Sequence, residues 1–389
     1  MQSFLTAIKN AIRETDFLLL FLCVAASAFG ITSVYSATIP DIPEGGFISR
    51  DARTMLLAVG AGLLLAVLIS FIDYNIIAKL YPLIGAACLL LMVAVLIWGV
   101  GPSERQDAKT WLPIGSRFYF QPSELLKIGF LITFGMHLEL VGDKIHRLFH
   151  IILLSAHAAV PILLVVISGD MGSALVFVII FIVMMFCAGV QLRYFLIGAV
   201  GIVAAAPAVW FYVFDSIQKE RFLGLLYPER YEDIMYQQTK GMQAIVGGGL
   251  TGQGLFHGTL TQAGTVPESE NDMIFTVVGE ELGLFGCLAV FLLLLAIIAR
   301  IMITGRRSRF GATRLMCYGM AAMLAAQTII NIGMCLVIFP VVGITLPFFS
   351  AGGSSNLCVY IGVGLVLSIY RFDKYKDANT YRLSDATLF

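Results

Sequence analysis

The chain has 389 residues, of which 59% are hydrophobic and 13% are charged, and its mean hydropathy is +0.89. Soluble domains carry roughly 25% charged residues, so this composition excludes an ordinary soluble protein and predicts a chain that lies mostly in lipid. The formal net charge is zero, which provides no basic field for binding nucleic acid. The seven cysteines stand singly in apolar runs, a spacing that predicts neither a disulfide framework nor a metal site.

Ten stretches are long and apolar enough to cross a hydrocarbon core of roughly 30 Å, which needs about 20 residues. Backbone polar groups cannot stay unpaired in lipid, and no stretch alternates like a barrel strand, so each is predicted to be a helix. The predicted fold is all-α, a single polytopic membrane domain over residues 1–389 with about ten transmembrane helices. The spans run approximately from Phe17 to Ser36, Thr54 to Ile72, Leu80 to Val100, Glu124 to Leu138, Leu148 to Ile167, Gly172 to Val190, Tyr194 to Val213, Met273 to Ala299, Leu315 to Ile338 and Ser355 to Tyr370.

Most of the 25 lysines and arginines lie in alternate connections between these spans. Cytoplasmic loops carry an excess of such residues, so the pattern predicts that both termini are cytoplasmic. The residues on the predicted cytoplasmic side are Lys9, Arg13, Lys79, Lys144, Arg147, Arg193, Arg300, Arg306, Arg307, Arg309, Arg314, Arg371, Lys374, Lys376 and Arg382.

The loops on the opposite side carry most of the prolines, loop glycines and acids, which places function on the outer face. Between spans seven and eight, residues 215–271 form a long extracytoplasmic loop that exceeds the usual 12 to 15 residues of an idle connection. Its segment from Ile217 to Ile245 is amphipathic enough for short interfacial helices. The glycines between Gly247 and Gly258 predict a flexible tract whose backbone can approach a ligand closely.

The segment that leads into the fourth span is charged and aromatic. Pro122 suits a first helical turn, which places Glu124 and Lys127 three residues apart on one helix face. The pair is either a structural ion pair whose lysine stem extends to the headgroups, or a functional pair inside the span. Trp111 is either an interfacial anchor or a functional residue.

Two further outer turns offer polar groups. The turn SGDMGSAL contains Asp170, which either caps the next helix or has a functional role. The segment PVVGITLPFFSAGGSS ends in Ser354 and Ser355 and supplies hydroxyls and backbone amides without charge. It could line a site without carrying out proton transfer.

The most informative stretch runs from residue 247 to residue 283. Glu268, Glu270 and Asp272 precede or open the eighth span. Asp272 could be a helix cap or a favourable charge at the positive end of the helix dipole. Its functional alternative is a carboxylate held where water and lipid meet, with a pKa tuned by partial burial.

Four blocks of this sequence, in this order, resemble the signatures of the SEDS family of shape, elongation, division and sporulation proteins, which includes RodA and FtsW. The blocks are FQPSELLK, GTLTQAG with PESENDMIF and GEELG, NIGM from Asn331, and LPFFSAGGSS. The resemblance spans nearly the whole chain. The segment VYSAT near Tyr35 resembles RodA more than FtsW. The resemblance to the family implies a peptidoglycan glycosyltransferase of the bacterial plasma membrane that polymerises lipid II beside a class B penicillin-binding protein, which supplies the transpeptidase.

The resemblance also implies roles for single residues. Asp272 matches the family's essential catalytic acid, and Trp111, Glu124 and Lys127 match its functional tryptophan and charged pair. Where the family has an arginine before this tryptophan, the present chain has DAKT, so the phosphate contact either falls to Lys109 or is absent. The chain departs from the family's motifs at SGD, NDM and SAGGSS, so the resemblance implies the reaction more firmly than it implies the substrate contacts.

Glycosyl transfer from a lipid diphosphate needs a base near the acceptor hydroxyl and positive charge near the phosphates. The predicted base is Asp272, with inversion at the donor carbon. Lys127, Lys109 or a divalent cation, Mg²⁺ or Mn²⁺, would stabilise the departing diphosphate.

Two alternative functions are a flippase or transporter for the lipid-linked precursor and a non-catalytic scaffold for the transpeptidase. Transporters place ionisable sites near the midplane and often contain inverted repeats. Here the ionisable candidates cluster at the outer rim and no repeat is evident, which favours catalysis at the surface. A scaffold would leave Asp272 as a helix cap.

Overall fold

The computed structural model of the chain describes residues 14–43, 45–101, 108–115 and 118–373. Helices dominate these ranges, as the composition predicts. They are α1 (Phe17–Ala37), α2 (Arg50–Ser70), α3 (Tyr74–Lys79), α4 (Tyr81–Trp98), α5 (Pro122–Val141), α6 (Leu148–Ile167), α7 (Met171–Cys187), α8 (Leu192–Ala208), α9 (Ser216–Leu226), α10 (Glu232–Gly248), α11 (Thr259–Gln262), α12 (Ile274–Arg307), α13 (Gly311–Cys335) and α14 (Gly353–Phe372).

Nine helices in the described part of the chain are long and apolar enough to cross a membrane. The sixth predicted span corresponds to α7, which is apolar but has 17 residues. The all-α membrane fold is therefore confirmed. Five of the basic residues on which the predicted orientation depends lie outside the described residues; they are Lys9, Arg13, Lys374, Lys376 and Arg382.

Three helices, α5, α13 and α14, form the interior of the bundle and are mostly buried. Helix α14 packs closely along α2 because small residues line their contact. A side-chain carbon at Gly62 would lie 2.9 Å from Tyr360 Cβ, and one at Gly364 would lie 2.8 Å from Ala66 Cα. Helix α8 is the opposite case, since none of its residues is buried and its apolar side chains suit contact with lipid.

A short hairpin lies between α4 and α5 and was not predicted. Strand β1 (Leu112–Ile114) pairs antiparallel with β2 (Phe118–Phe120), and Trp111 bridges Val100 just outside the hairpin. Strands of three residues are too short to show a periodicity in the sequence. The hairpin gives the loop that leads into α5 a defined path across the end of the bundle.

The long loop between α8 and α12 folds into helices within the predicted amphipathic segment. Helix α10 packs directly against α12, and glycines make this contact possible. A side-chain carbon at Gly248 would lie 1.9 Å from the carbonyl oxygen of Gly279, and one at Gly241 would lie 2.5 Å from Met273 Cε. The loop is therefore part of the packed bundle as well as of its surface.

The glycine tract that follows α10 is hydrogen-bonded to the backbone at a break in α12. Helix α12 is interrupted at Gly283, where φ is 63° and ψ is −159°. Such a break leaves backbone groups without their helical partners. The tract supplies new ones: Gln253 N donates to Glu280 O at 2.9 Å, and Leu284 N donates to Gly249 O at 2.9 Å.

Charged side chains tie the helices together at the other end of the bundle. Arg300 Nε donates to Asp16 Oδ2 at 2.8 Å. The buried Arg371 donates to Ser70 O at 2.9 Å, and its guanidinium lies 4.2 Å from the centre of the Phe71 ring. These contacts join the first, second, twelfth and last helices far from the loops described next.

Candidate active site

The predicted site residues lie at one end of the bundle, which we call the loop end. It is formed by the connections α4–α5, α6–α7, α8–α12 and α13–α14. The first turn of α7, directly after the α6–α7 connection, touches the α13–α14 connection, because a side-chain carbon at Gly172 would lie 2.5 Å from Val342 O. The α13–α14 connection in turn contacts Asp272, so three of the four predicted segments form one continuous surface.

The backbone around Asp272 is held at three successive carbonyls. Each accepts a hydrogen bond from α13 or from the connection that follows it. The pairs are Ala351 N with Glu270 O at 2.9 Å, Ser350 Oγ with Asn271 O at 2.8 Å, and Asn331 Nδ2 with Asp272 O at 2.8 Å. The fully buried Asn331 also donates to Ile344 O at 2.7 Å, so one amide joins Asp272 to the α13–α14 connection.

The side chain of Asp272 does not cap the helix that it precedes. Helix α12 begins at Ile274 with Met273 at the N-cap position, and no side chain caps it. The carboxylate instead faces Gly343, where a side-chain carbon would lie 3.6 Å from Asp272 Oδ2. Gly343 has a φ of 72°, a conformation that favours glycine, and Asp272 is half-buried. The capping interpretation of Asp272 is therefore wrong.

The surroundings of Asp272 favour its neutral form. The pKa of this carboxyl is raised to about 7, mainly by burial and also by the negative charges of Glu268, Glu270 and Asp170, while the positive charge of Arg221 lowers it. Burial also raises the pKa of Glu270. An aspartate that titrates near neutral pH can accept a proton at physiological pH and is a suitable general base.

Asp170 both caps a helix and belongs to a polar network, so the two interpretations of this residue are compatible. Its Oδ1 accepts a hydrogen bond from Ser173 N at 2.9 Å, in the first turn of α7. Its Oδ2 accepts from Gln121 Nε2 at 2.8 Å and from Ser123 Oγ at 2.9 Å. Trp111 Nε1 donates to Gln121 Oε1 at 3.3 Å. The indole is therefore oriented by hydrogen bonding, beyond what a membrane anchor needs.

The two predicted lysines already have acceptors. Lys127 Nζ lies 2.8 Å from Glu124 Oε1, which confirms the ion pair. The side chain of Lys127 is 2% exposed, so it lies within the bundle and the predicted extension to the headgroups is wrong. Lys109 Nζ donates to Leu96 O at 3.0 Å, in the last turn of α4, where cations complement the helix dipole.

The two predicted serines join loops to each other. Ser354 Oγ accepts a hydrogen bond from Gln121 N at 3.1 Å and donates to Tyr119 O at 3.3 Å. Ser355 Oγ lies 2.9 Å from Thr345 Oγ1. Both serines therefore position the hairpin and the α13–α14 connection at the start of α14.

Arg221, Asn331 and Glu280 were not assigned roles from the sequence. Asn331 and Glu280 lie in recognisable blocks, while Arg221 is one cation in an amphipathic segment and gave no signal. The fully buried Glu280 holds α11 against α12 by accepting four hydrogen bonds. The donors are Thr259 Oγ1 at 3.2 Å, Leu260 N at 2.7 Å, Thr261 N at 2.8 Å and Thr261 Oγ1 at 2.6 Å.

Oxygen ligands are the groups that this site offers to a metal. Across the described ranges, no group of three or more histidine, cysteine, aspartate or glutamate side chains is arranged to hold an ion. Mg²⁺ commonly binds through one or two carboxylates together with substrate phosphates.

Replacing Asn331 with alanine is expected to lower kcat about tenfold to a hundredfold while KM changes little. The change removes the amide that positions the Asp272 backbone, and a displacement of about 1 Å can cost a factor of that size. Steady-state kinetics of the purified variant measure the effect. Ile329→Ala, on the lipid-exposed side of the same helix, is the matched control. Equal kinetics for the two variants would contradict a positioning role.

Comparison with protein families gives a match over nearly the whole chain. The model of the FtsW, RodA and SpoVE family, described as "Cell cycle protein", matches residues 16–375. A "Probable peptidoglycan glycosyltransferase FtsW" from Geobacter sulfurreducens is 30% identical over 368 residues, covering 92% of this chain and 95% of that protein. The "Peptidoglycan glycosyltransferase MrdB" of Escherichia coli K12 is 29% identical, with coverage of 92% and 93%. The "Stage V sporulation protein E" of Bacillus subtilis is 32% identical, with coverage of 92% and 98%.

Solved structures show the same architecture. One, described as "Structural coordination of polymerization and crosslinking by a peptidoglycan synthase complex", aligns with a TM-score of 0.79 at 30% identity, covering 93% of this chain and 99% of that chain. The rod shape determining protein RodA of Thermus thermophilus aligns with a TM-score of 0.68 at 28% identity, with coverage of 93% and 98%. The identities to the FtsW, MrdB and SpoVE relatives are nearly equal.

Proposed function

The chain belongs to the FtsW, RodA and SpoVE family and is a multi-pass membrane peptidoglycan glycosyltransferase, and on this premise we propose that it polymerises lipid II into glycan strands with Asp272 as general base. The observation that carries this proposal is the state of the Asp272 carboxylate. Its backbone is fixed by three donors, its side chain caps nothing, and its pKa is raised to about 7 by burial.

The proposed step is a single displacement at the anomeric carbon of the donor sugar. The 4-hydroxyl of the acceptor attacks this carbon and its proton passes to Asp272. The new bond joins the acceptor oxygen to the anomeric carbon. The bond from that carbon to the diphosphate oxygen breaks and the electron pair leaves with the diphosphate, so the donor carbon is inverted.

Binding of the substrates is proposed to involve the polar surface around Asp272. Trp111 and Asp170 belong to one hydrogen-bonded network, and Ser354 joins it through Gln121. Lys109 or Lys127 would reach the diphosphate only by exchanging its present acceptor. A divalent cation, Mg²⁺ or Mn²⁺, is an alternative source of positive charge. A polymerisation assay with a chelator, followed by re-addition of each metal, tests this alternative.

We further propose that the loop end faces outward from a bacterial plasma membrane and that both termini are cytoplasmic. Asp272 lies just before α12, whereas Arg306 and Arg307 lie in its last turn. These residues are about 50 Å apart along a helix that rises 1.5 Å per residue. Positive charge at one end and the catalytic carboxylate at the other support this orientation.

A class B penicillin-binding protein is the proposed partner, since glycan strands are useful to the cell only when they are crosslinked. The structural neighbour described as part of a peptidoglycan synthase complex supports such a pairing. Polymerisation of labelled lipid II by the purified chain, with and without the transpeptidase, tests both activity and partnership. Transport of lipid II in proteoliposomes without polymer formation would favour a flippase, and inactivity under both conditions would favour a scaffold.

The rate of polymerisation is expected to rise with pH through about 7. A general base acts in its ionised form, and burial raises the pKa of Asp272 to about 7, so protonation below this value removes the base. A profile of kcat/KM from pH 5.5 to 8.5 should fall about tenfold for each unit below the midpoint. A profile that is flat over this range would contradict the assignment of Asp272.

A further inference from the structure

A small cleft opens beside the Asp272 site, between the end of α8, α9, the start of α7 and the α13–α14 connection. It is shallow and open to solvent, with an interior volume of about 40 Å³. Its polar side chains are Gln218 and Arg221, both on α9. The other lining residues are apolar; they are Met171, Phe214, Phe222, Pro340, Val341 and Val342. Cationic and apolar groups therefore meet in one cleft near the predicted headgroup level.

The cleft and the Asp272 carboxylate share one stretch of backbone. Arg221 Nη1 donates to Val341 O at 2.8 Å, and Val341 lies two residues before Gly343, which faces Asp272 Oδ2. Arg221 is also the cation that acts most strongly on Asp272, since it opposes the rise in that pKa. The ammonium groups of the two predicted lysines point to other acceptors, since Lys109 donates to Leu96 O and Lys127 donates to Glu124 Oε1.

The chemistry of the lining suits a lipid diphosphate. A guanidinium offers five N–H donors in a planar fork that matches phosphate oxygens, and it forms charge-assisted hydrogen bonds with them. The rings of Phe214 and Phe222 stack with centroids 5.5 Å apart and provide an apolar wall. An anionic group could therefore contact the guanidinium, and an isoprenoid chain attached to it could contact the phenylalanine rings.

We propose that this cleft binds the diphosphate of the polyprenyl-linked donor, with Arg221 contacting the phosphates and the stacked phenylalanines contacting the first isoprene units. This inference rests on the proposed function, since the donor is taken to be a lipid-linked sugar. The diphosphate that leaves in the transfer then departs into a positively charged cleft adjacent to the base.

The test is direct binding of undecaprenyl diphosphate to the full-length protein in detergent. Arg221→Gln is expected to weaken this binding about tenfold to a hundredfold, the range for loss of charge-assisted hydrogen bonds. Arg230→Gln, which removes an exposed positive charge from the same loop, is expected to leave the affinity unchanged. Equal affinities for wild type and Arg221→Gln would overturn the proposal.

A second variant tests the apolar part and keeps the charge. Phe222→Ala is expected to weaken binding of undecaprenyl diphosphate and to leave binding of inorganic pyrophosphate unchanged. Phosphatidylglycerol vesicles serve as the source of an ordinary lipid phosphate. If phosphatidylglycerol competed as effectively as undecaprenyl diphosphate, the assignment of the cleft to the donor would be overturned. If pyrophosphate bound as tightly as undecaprenyl diphosphate, the role of the phenylalanines would be overturned.

Two readouts separate this site from the proposed function. Asp272→Asn should bind undecaprenyl diphosphate normally but should not polymerise lipid II. If wild type also failed to polymerise, the proposed function would be refuted, whereas the binding measurement would still show whether the cleft binds the diphosphate. Arg221→Gln should also move the midpoint of the pH profile to higher pH, because Arg221 lowers the pKa of Asp272 against Glu268, Glu270 and Asp170. A midpoint that does not move would contradict the link between cleft and base.

Discussion

Asp272→Asn is expected to lower the rate of lipid II polymerisation by a factor of about 10² to 10⁴, the usual contribution of a positioned general base. The amide has nearly the shape of the carboxylate but cannot accept the acceptor's proton. The three hydrogen bonds that residues 270–272 accept end on their backbone carbonyls and do not involve the Asp272 side chain, so they should persist in the variant. Polymer formation from labelled lipid II measures the loss.

The same substitution should not destabilise the protein, which distinguishes a catalytic role from a structural one. Burial raises the pKa of Asp272 above its ordinary value, so the folded state binds this proton more tightly than the unfolded chain does. The free energy of unfolding therefore falls as the pH rises from 3.8, the ordinary pKa of this carboxyl, to about 7. Asparagine is neutral and avoids this cost, so the variant's unfolding temperature at pH 8 should equal or exceed that of wild type.

The control for both measurements is Asp233→Asn, an exposed aspartate in the same long loop. It is expected to retain both activity and stability. Full activity in Asp272→Asn would refute the general-base assignment. A marked drop in its unfolding temperature would return Asp272 to the role of a structural residue and would support the scaffold alternative.

The membrane architecture could be predicted because it depends on local composition. A span is recognised from about 20 consecutive residues, and Pro122 marks the start of α5 within a single turn. The spacing of Glu124 and Lys127 likewise predicts their ion pair, since residues three apart share a helix face. The burial of that pair was not predictable, because it depends on which helices surround α5.

The candidate site could be predicted only in part because its contacts join distant segments. Asn331 positions Asp272 across 59 residues of sequence, and Gln121 joins Asp170 across 49. The raised pKa of Asp272 results from this packing, so no local pattern contains it. The role of Arg221 could not be predicted from the sequence, because it depends on contacts with residues that are distant in the chain.

Glu280 is the other position where a large effect is expected. Glu280→Ala should lower the free energy of unfolding by about 3 to 5 kcal/mol, since a buried donor left without its acceptor costs about 1 to 3 kcal/mol. Four donors from residues 259–261 converge on this carboxylate, and two of them are backbone amides that cannot rotate towards water. Thermal unfolding in detergent measures the change.

A graded pair of variants separates the carboxylate's role from loss of volume. Glu280→Gln keeps one acceptor oxygen and should lose less stability than Glu280→Ala, while the exposed Glu229→Ala should lose almost none. Equal stability of all three would mean that α11 is held by other contacts. Gln253 of the glycine tract also donates a hydrogen bond to the backbone carbonyl of Glu280. Loss of the Glu280 carboxylate should therefore weaken the contact between the tract and the break in α12. Hydrogen exchange at residues 249–262 should then increase in Glu280→Ala before the membrane helices unfold, since the Glu280 carboxylate is the acceptor for four donors of residues 259–261.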